Sequence, residues 1–157
     1  MPPQIGGAPL GGAPLGGTGG EEGLQYAKPD ADVSAGGWTP STGGDLYACI
    51  DEPVASDADY IQSSDNPDND ECRITLSNVI DPQVSTGHII RYRYRKQGTD
   101  QIDLVASLYQ STTLVHAETH TNIGTGFIDG EFALTNDEAD AITDYAALEF
   151  RFKANKP

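Results

Sequence analysis

Apolar and polar positions alternate most clearly between Gly87 and Gln110. His88, Ile90, Tyr92 and Tyr94 fall on one side of an extended chain, and Ile89, Arg91, Arg93 and Arg95 fall on the other. A second run follows, in which Ile102, Leu104, Ala106 and Leu108 alternate with Asp103, Val105, Ser107 and Tyr109. Period-two alternation of this length predicts two half-buried strands. The intervening Gln97-Gly98-Thr99-Asp100 has the composition of a turn, so the two runs are expected to pair as a hairpin. One face of that hairpin would enter a core and the other would carry a row of arginines.

The same pattern recurs along the chain. Asp45–Ile50 reads as a strand with Leu46, Ala48 and Ile50 inward. Asp59–Gln62 is a short strand, and Cys72–Ser77 places Cys72, Ile74 and Leu76 on one side. Thr112–Thr121 is expected to fold back on residues 102–109 through Gln110-Ser111. Glu131–Leu134 is short, and Leu148–Lys153 turns Leu148, Phe150 and Phe152 inward. Thr135-Asn136-Asp137-Glu138 fits a capping box, with Thr135 as N-cap, and opens one short helix over 136–142. Roughly eight strands spaced roughly 10–15 residues apart, with no crossover helices, predict an all-β fold. The expected architecture is an antiparallel two-sheet β-sandwich of jelly-roll or immunoglobulin-like type.

Residues 1–27 break the pattern. Gly-Gly-Ala-Pro-Leu occurs at 6–10 and again at 11–15, and glycine and proline together oppose a helix. The segment is expected to be an extended arm ahead of a β-domain at 28–157. Ile5, Leu10 and Leu15 recur every five residues. A pure linker needs no spaced anchors, so Ile5, Pro9, Leu10, Pro14 and Leu15 are the candidate partner-binding residues, ordered on contact. The competing reading is a flexible linker.

Charge narrows the function. The chain has 157 residues and a formal net charge of −15, from 24 acidic and 9 basic side chains. That excludes a general nucleic-acid coat, which rests on positive charge. No run has the length of a membrane span, and the N-terminus lacks the basic and apolar regions of a secretory signal. Neither a nucleic acid nor a membrane is an expected partner. With no export signal, Cys49 and Cys72 are expected as buried free thiols rather than a bridge.

Candidate chemistry is sparse. No Gly-x-Ser-x-Gly elbow, P-loop or helix-opening Gly-x-Gly-x-x-Gly occurs, and no enzyme activity or cofactor is expected. His116 and His120 would stand ~13 Å apart along a strand, too far to share a metal. Asp65, Asp68 and Asp70 could meet a calcium ion but lack the glycine and terminal glutamate of an EF-hand loop, and no metal site is assigned. Trp38 and Tyr60 are candidate glycan contacts, and the competing reading is packing in the core or on the sheet surface. Arg91, Arg93 and Arg95, with Arg151, are candidate ion-pair residues, meeting carboxylates of the same subunit or of a neighbouring one.

Several segments resemble a group of tailed-bacteriophage virion structural proteins. They are Asp30-Ala31-Asp32-Val33-Ser34, Gly37-Trp38-Thr39-Pro40, Asp45-Leu46-Tyr47-Ala48, Asp59-Tyr60-Ile61 and Gly87 to Arg95. His120-Thr121-Asn122-Ile123 and Ile142-Thr143-Asp144-Tyr145 extend the likeness, which covers roughly 28–155 and includes a repetitive apolar prefix. The resemblance implies a non-enzymatic virion component and carries over no catalytic motif. Size, acidity and the arm lead to a capsid decoration or cement protein on the capsid surface, assembled in the host cytoplasm. Its expected partners are the major capsid protein and further copies of itself, for instance as a trimer. The alternative is a tail, baseplate or fibre-associated module that binds host glycan.

Overall fold

The computed structural model describes residues 24–157. The fold is mostly β, built from antiparallel sheets with one short α-helix. Nine strands occur among the described residues: β1 (Pro29–Ser34), β2 (Thr39–Pro40), β3 (Ile61–Gln62), β4 (Asp70–Leu76), β5 (Ile89–Tyr94), β6 (Asp103–Gln110), β7 (Thr113–His120), β8 (Ile128–Ala133) and β9 (Leu148–Asn155). A five-stranded sheet runs in the order β1-β4-β9-β6-β7, while β2-β3 and β5-β8 form separate two-stranded ribbons.

The core follows from alternation. Cys72, Ile74 and Leu76 of β4, Phe150, Phe152 and Ala154 of β9, and Leu104, Ala106 and Leu108 of β6 share the inner face and are buried. Register brings them side by side: Ile74 and Leu108 flank Phe150, and Cys72 and Ala106 flank Phe152. The β5–β8 ribbon covers this face through Tyr92, whose ring centroid lies 6.0 Å from that of Phe152 and 6.1 Å from those of Phe150 and Phe132. Gly130 lies opposite Tyr92, and a Cβ there would come within 2.5 Å of the tyrosine ring, so the ring takes the space a side chain would need.

The outer face of the large sheet carries an ion-pair network instead. Glu149 is buried and accepts two hydrogen bonds from Arg73, at 2.6 and 3.0 Å, and one from Arg151 at 2.7 Å. The Arg151 guanidinium also lies 3.7 Å from the centroid of the Tyr109 ring. One carboxylate thus joins β4 to β9, and the stacked arginine extends the link to β6.

Two sequence expectations are corrected. The runs 88–95 and 102–109 do not form a hairpin: β5 pairs with β8, and β6 pairs with β7 and β9. Both edges of β6 are occupied, and eight residues separate β5 from β6, more than the 2–5 of common hairpin loops. That connection is tied elsewhere, with the Lys96 N–H donating to the Gly124 carbonyl at 2.8 Å. The second correction is Asp45–Ile50, which is not a strand but holds a 3-10 turn at Tyr47–Cys49. The Asp32 carboxylate accepts the N–H groups of Leu46 and Tyr47, at 2.7 and 2.8 Å, and so fixes the turn. Leu46, Cys49 and Ile50 are buried while Ala48 is exposed, which is helical rather than alternating spacing.

Three other strands follow the expectations. β4, β7 and β9 lie where alternation puts them, and β7 folds back on β6. The capping box is formed: Glu138 N–H donates to Thr135 Oγ1 at 3.3 Å, and Thr135 N–H donates to Glu138 Oε2 at 2.7 Å. The helix it opens, α1, spans Asn136–Asp140.

Candidate functional site: the arginine ribbon, the arm root and the histidine seam

The arginine row lies on the open side of the β5–β8 ribbon. Arg91 Nε meets Glu131 at 2.6 Å, its cross-strand partner. Arg93 bridges Asp57 at 2.8 Å and Asp129 at 2.9 Å, and Asp129 is likewise its cross-strand partner. These hydrogen bonds raise the Arg93 pKa, and the one to Asp57 holds that carboxyl below the usual range. The Arg95 guanidinium lies 4.1 Å from the centroid of the Phe127 ring. Three guanidiniums and three carboxylates therefore share this surface, which leaves it no excess of positive charge. A shallow depression of about 360 Å³ runs along it between Pro53, Ala55 and the ion pairs. Arg151 lies apart from the row, on the outer face of the large sheet.

Trp38, a candidate glycan contact in the sequence, is only 2% exposed. Its ring packs 6.3 Å from that of Phe152, and its Nε1–H donates to the Asp70 carbonyl at 3.0 Å. The preceding glycines make this possible. Gly36 has φ +56° and stands against the Glu71 carbonyl, while the Gly37 N–H donates to the Asp70 carboxylate at 2.6 Å. A Cβ at Gly36 would strike the Glu71 carbonyl, and one at Gly37 would force the Asp70 carboxylate aside. Tyr60 is half-buried, and its backbone exchanges hydrogen bonds with Ser41 at 2.8 and 2.9 Å. Asp70 is committed to the Gly37 turn, so it does not stand ready with Asp65 and Asp68 as a cation ligand.

Ile5, Pro9, Leu10, Pro14 and Leu15 lie outside the described residues. What is described is the root of their segment. Ala27 is wholly buried, although composition places the boundary after it. The Gln25 side chain closes a two-bond clamp on Ile80, donating to its carbonyl at 2.8 Å and accepting its N–H at 2.7 Å. Lys28 and Ser77 add bonds of 2.6 and 3.0 Å. Leu24, Tyr26 and Ile80 stay exposed around this clamp.

No protein-family model, curated protein or solved structure matches this chain.

One arrangement that alternation alone did not reveal is the role of the histidines. His120 on β7 joins two tyrosines of β5, with Nε2 2.5 Å from the Tyr92 hydroxyl and Nδ1 3.0 Å from that of Tyr94. His116, also on β7, stacks on Phe132 of β8 at 4.5 Å and meets Glu138 at 2.7 Å. His88 is buried and bonds the Tyr145 hydroxyl at 2.6 Å. All three therefore tie the β5–β8 ribbon or its flanks to other elements. Partial burial works against a charged Glu138, but hydrogen bonds from His116 and Thr135 outweigh it and hold its carboxyl below the usual range.

Burial lowers the pKa of His88 and of His120. A backbone hydrogen bond at Thr86 and the charges of Asp81 and Asp140 near His88, and the charge of Glu118 near His120, only partly oppose it. The unfolded chain then binds protons more readily than the folded one. Stability is complete above the unfolded value of 6.5 and falls as pH drops below it. Unfolding free energies from urea denaturation are expected to decline between pH 7 and 5, with a slope of at most about 1.4 kcal/mol per pH unit for each histidine. The His88→Gln, His120→Gln double variant should flatten that slope. An unchanged slope would assign the acid sensitivity to other groups.

Proposed function

We propose that this protein is a non-enzymatic structural component of a tailed-phage virion, a capsid decoration or cement protein. In this reading the arm of residues 1–27 anchors it to the major capsid protein, and the β-domain stands on the capsid surface. We extend the fold reading to a two-sheet sandwich of jelly-roll or immunoglobulin-like type, with β5–β8 as the second layer. Copies associate with one another, for instance as a trimer around a symmetry axis, so that several weak anchors add up.

The observation that carries this reading is the clamp at the arm's root. An arm that only decorates a domain needs no firm junction. Here Gln25 is held at both ends of its amide, Ala27 is in the core, and β1 begins two residues later in the five-stranded sheet. A load on the arm passes straight into the largest sheet. The roughly 24 residues ahead of the Gln25 clamp would reach up to ~80 Å if extended, enough to cross a subunit boundary. The arginine ribbon supports a structural rather than nucleic-acid role, since its charges are spent on its own carboxylates. The glycan-binding alternative loses its main support with Trp38 in the core.

Deleting residues 1–20 is expected to abolish attachment to purified shells while leaving the thermal midpoint unchanged. Co-sedimentation with shells measures the first and calorimetry the second. Unchanged attachment of the truncated chain would overturn the anchoring role.

A further inference from the structure

A cavity of about 240 Å³ opens where the 62–65 loop faces the connection between β5 and β6. Its floor is aliphatic, made by Ile102, Leu104 and Ile123. Its rim carries the amides of Gln62 and Gln97 and the carboxylate of Asp65. Among the described residues these three side chains make no hydrogen bond to one another or to a neighbour. Their donors and acceptors stand open above an apolar floor.

Apart from Asp65, the charged groups nearby already have partners. Lys96 donates to the Asp100 carbonyl at 2.6 Å and to Asn122 at 3.2 Å, and the Asp100 carboxylate meets Lys156 at 2.9 Å. Arg95 is stacked on Phe127. An anion would be opposed by the open Asp65 carboxylate, and a cation by Lys96 and Arg95 on the same lining. A neutral ligand with many hydroxyls and one apolar face would meet neither obstacle. Planar amides and a carboxylate can each bind two adjacent hydroxyls, while C–H groups rest on the aliphatic floor. The volume lies below the ~300–1,000 Å³ of sites for drug-sized ligands, which limits the occupant to about one ring.

We propose that this cavity is a binding site for a single neutral sugar ring, taken alone or as the end of a glycan. Gln62, Gln97 and Asp65 hold its hydroxyls, and Ile102 and Ile123 hold its apolar face. The site uses neither Trp38 nor Tyr60, and it does not depend on the capsid reading or on the arm. A ligand of this size binds weakly, with a dissociation constant on the order of 1 mM.

The test is a nitrogen-15 NMR titration of the full chain with glucose, galactose and N-acetylglucosamine in turn. At least one is expected to give saturable shifts confined to residues 62–65, 95–102 and 123, including the Gln62 and Gln97 side-chain amides. Gln62→Ala and Gln97→Ala each lie on the exposed rim and should keep the wild-type melting temperature. Each should weaken that binding about 5- to 10-fold, the loss of one well-made hydrogen-bonding group. The proposal is overturned if none of the three sugars gives saturable shifts there, or if both variants bind as well as wild type. It is also overturned if the peptide Gly-Gly-Ala-Pro-Leu-Gly-Gly shifts these residues and the sugars do not, which would make the cavity a peptide dock.

Discussion

Replacing Glu149 with alanine is expected to lower the unfolding free energy by about 3 kcal/mol, toward the lower end of the range for breaking a buried ion pair. The side chain is only 8% exposed, and two arginines converge on it. Without the carboxylate, Arg73 and Arg151 keep their positions and lose their common acceptor. Arg151 cannot easily move into solvent. It is stacked on Tyr109, and its Nη2 donates to the Ser111 carbonyl at 3.1 Å. Arg73 is about one-third exposed, which lets water relieve part of the penalty. Glu149→Gln keeps the shape and one acceptor and should fall between wild type and alanine. A double-mutant cycle with Arg73→Ala should show a coupling of about 1–3 kcal/mol. A loss below about 1 kcal/mol in urea denaturation would mean that the network behaves as an exposed pair.

Replacing Trp38 with alanine is expected to cost about 3–5 kcal/mol, the usual range for emptying a buried aromatic site. The indole fills space beside Phe152 and satisfies the Asp70 carbonyl. Trp38→Phe should be milder, since it keeps much of the volume and loses about 1 kcal/mol of hydrogen bonding along with some contact. Trp38 is the one tryptophan in the chain, so intrinsic fluorescence follows this contact directly. Native emission should be blue-shifted and should move to the red as the chain unfolds in urea. A stable Trp38→Ala variant with wild-type melting would contradict the packing described here. The same substitution is a poor probe of glycan binding, because it would destabilise the fold that carries any site.

The contrast between these two residues shows what alternation conveys. Residues that alternate over six or more positions, as in β4, β6, β7 and β9, announce which side faces the core. They do not announce their partner. β5 was assigned to β6 because the two are adjacent in sequence and separated by turn residues. The better signal was electrostatic: Asp129 and Glu131 alternate around Gly130 as Arg93 and Arg91 alternate around Tyr92. Matching those charges would have selected the β5–β8 register. Asp45–Ile50 differs for another reason. Over six residues, alternation and helical spacing share too many positions to be separated. For Trp38 the sequence leaves a surface platform and core packing both open. Glycines there serve close approach of the backbone, which buries the indole. The histidine links and the sugar cavity both join residues distant in sequence, and no local pattern carries that information.

The two cysteines give the chain a built-in record of its own opening. Cys72 lies on the inner face of β4, fully buried, and burial pushes its thiol far above the ordinary range. Cys49 is also buried, but in the 3-10 turn, where its thiol donates to the Thr42 carbonyl at 3.3 Å. Alkylation requires an exposed thiolate, so neither reacts until its surroundings part. A loosening of the turn uncovers Cys49 alone, whereas Cys72 waits for β4 and β9 to separate. The ratio of the two labelling rates therefore distinguishes local opening from loss of the whole sheet, without adding a probe to the protein.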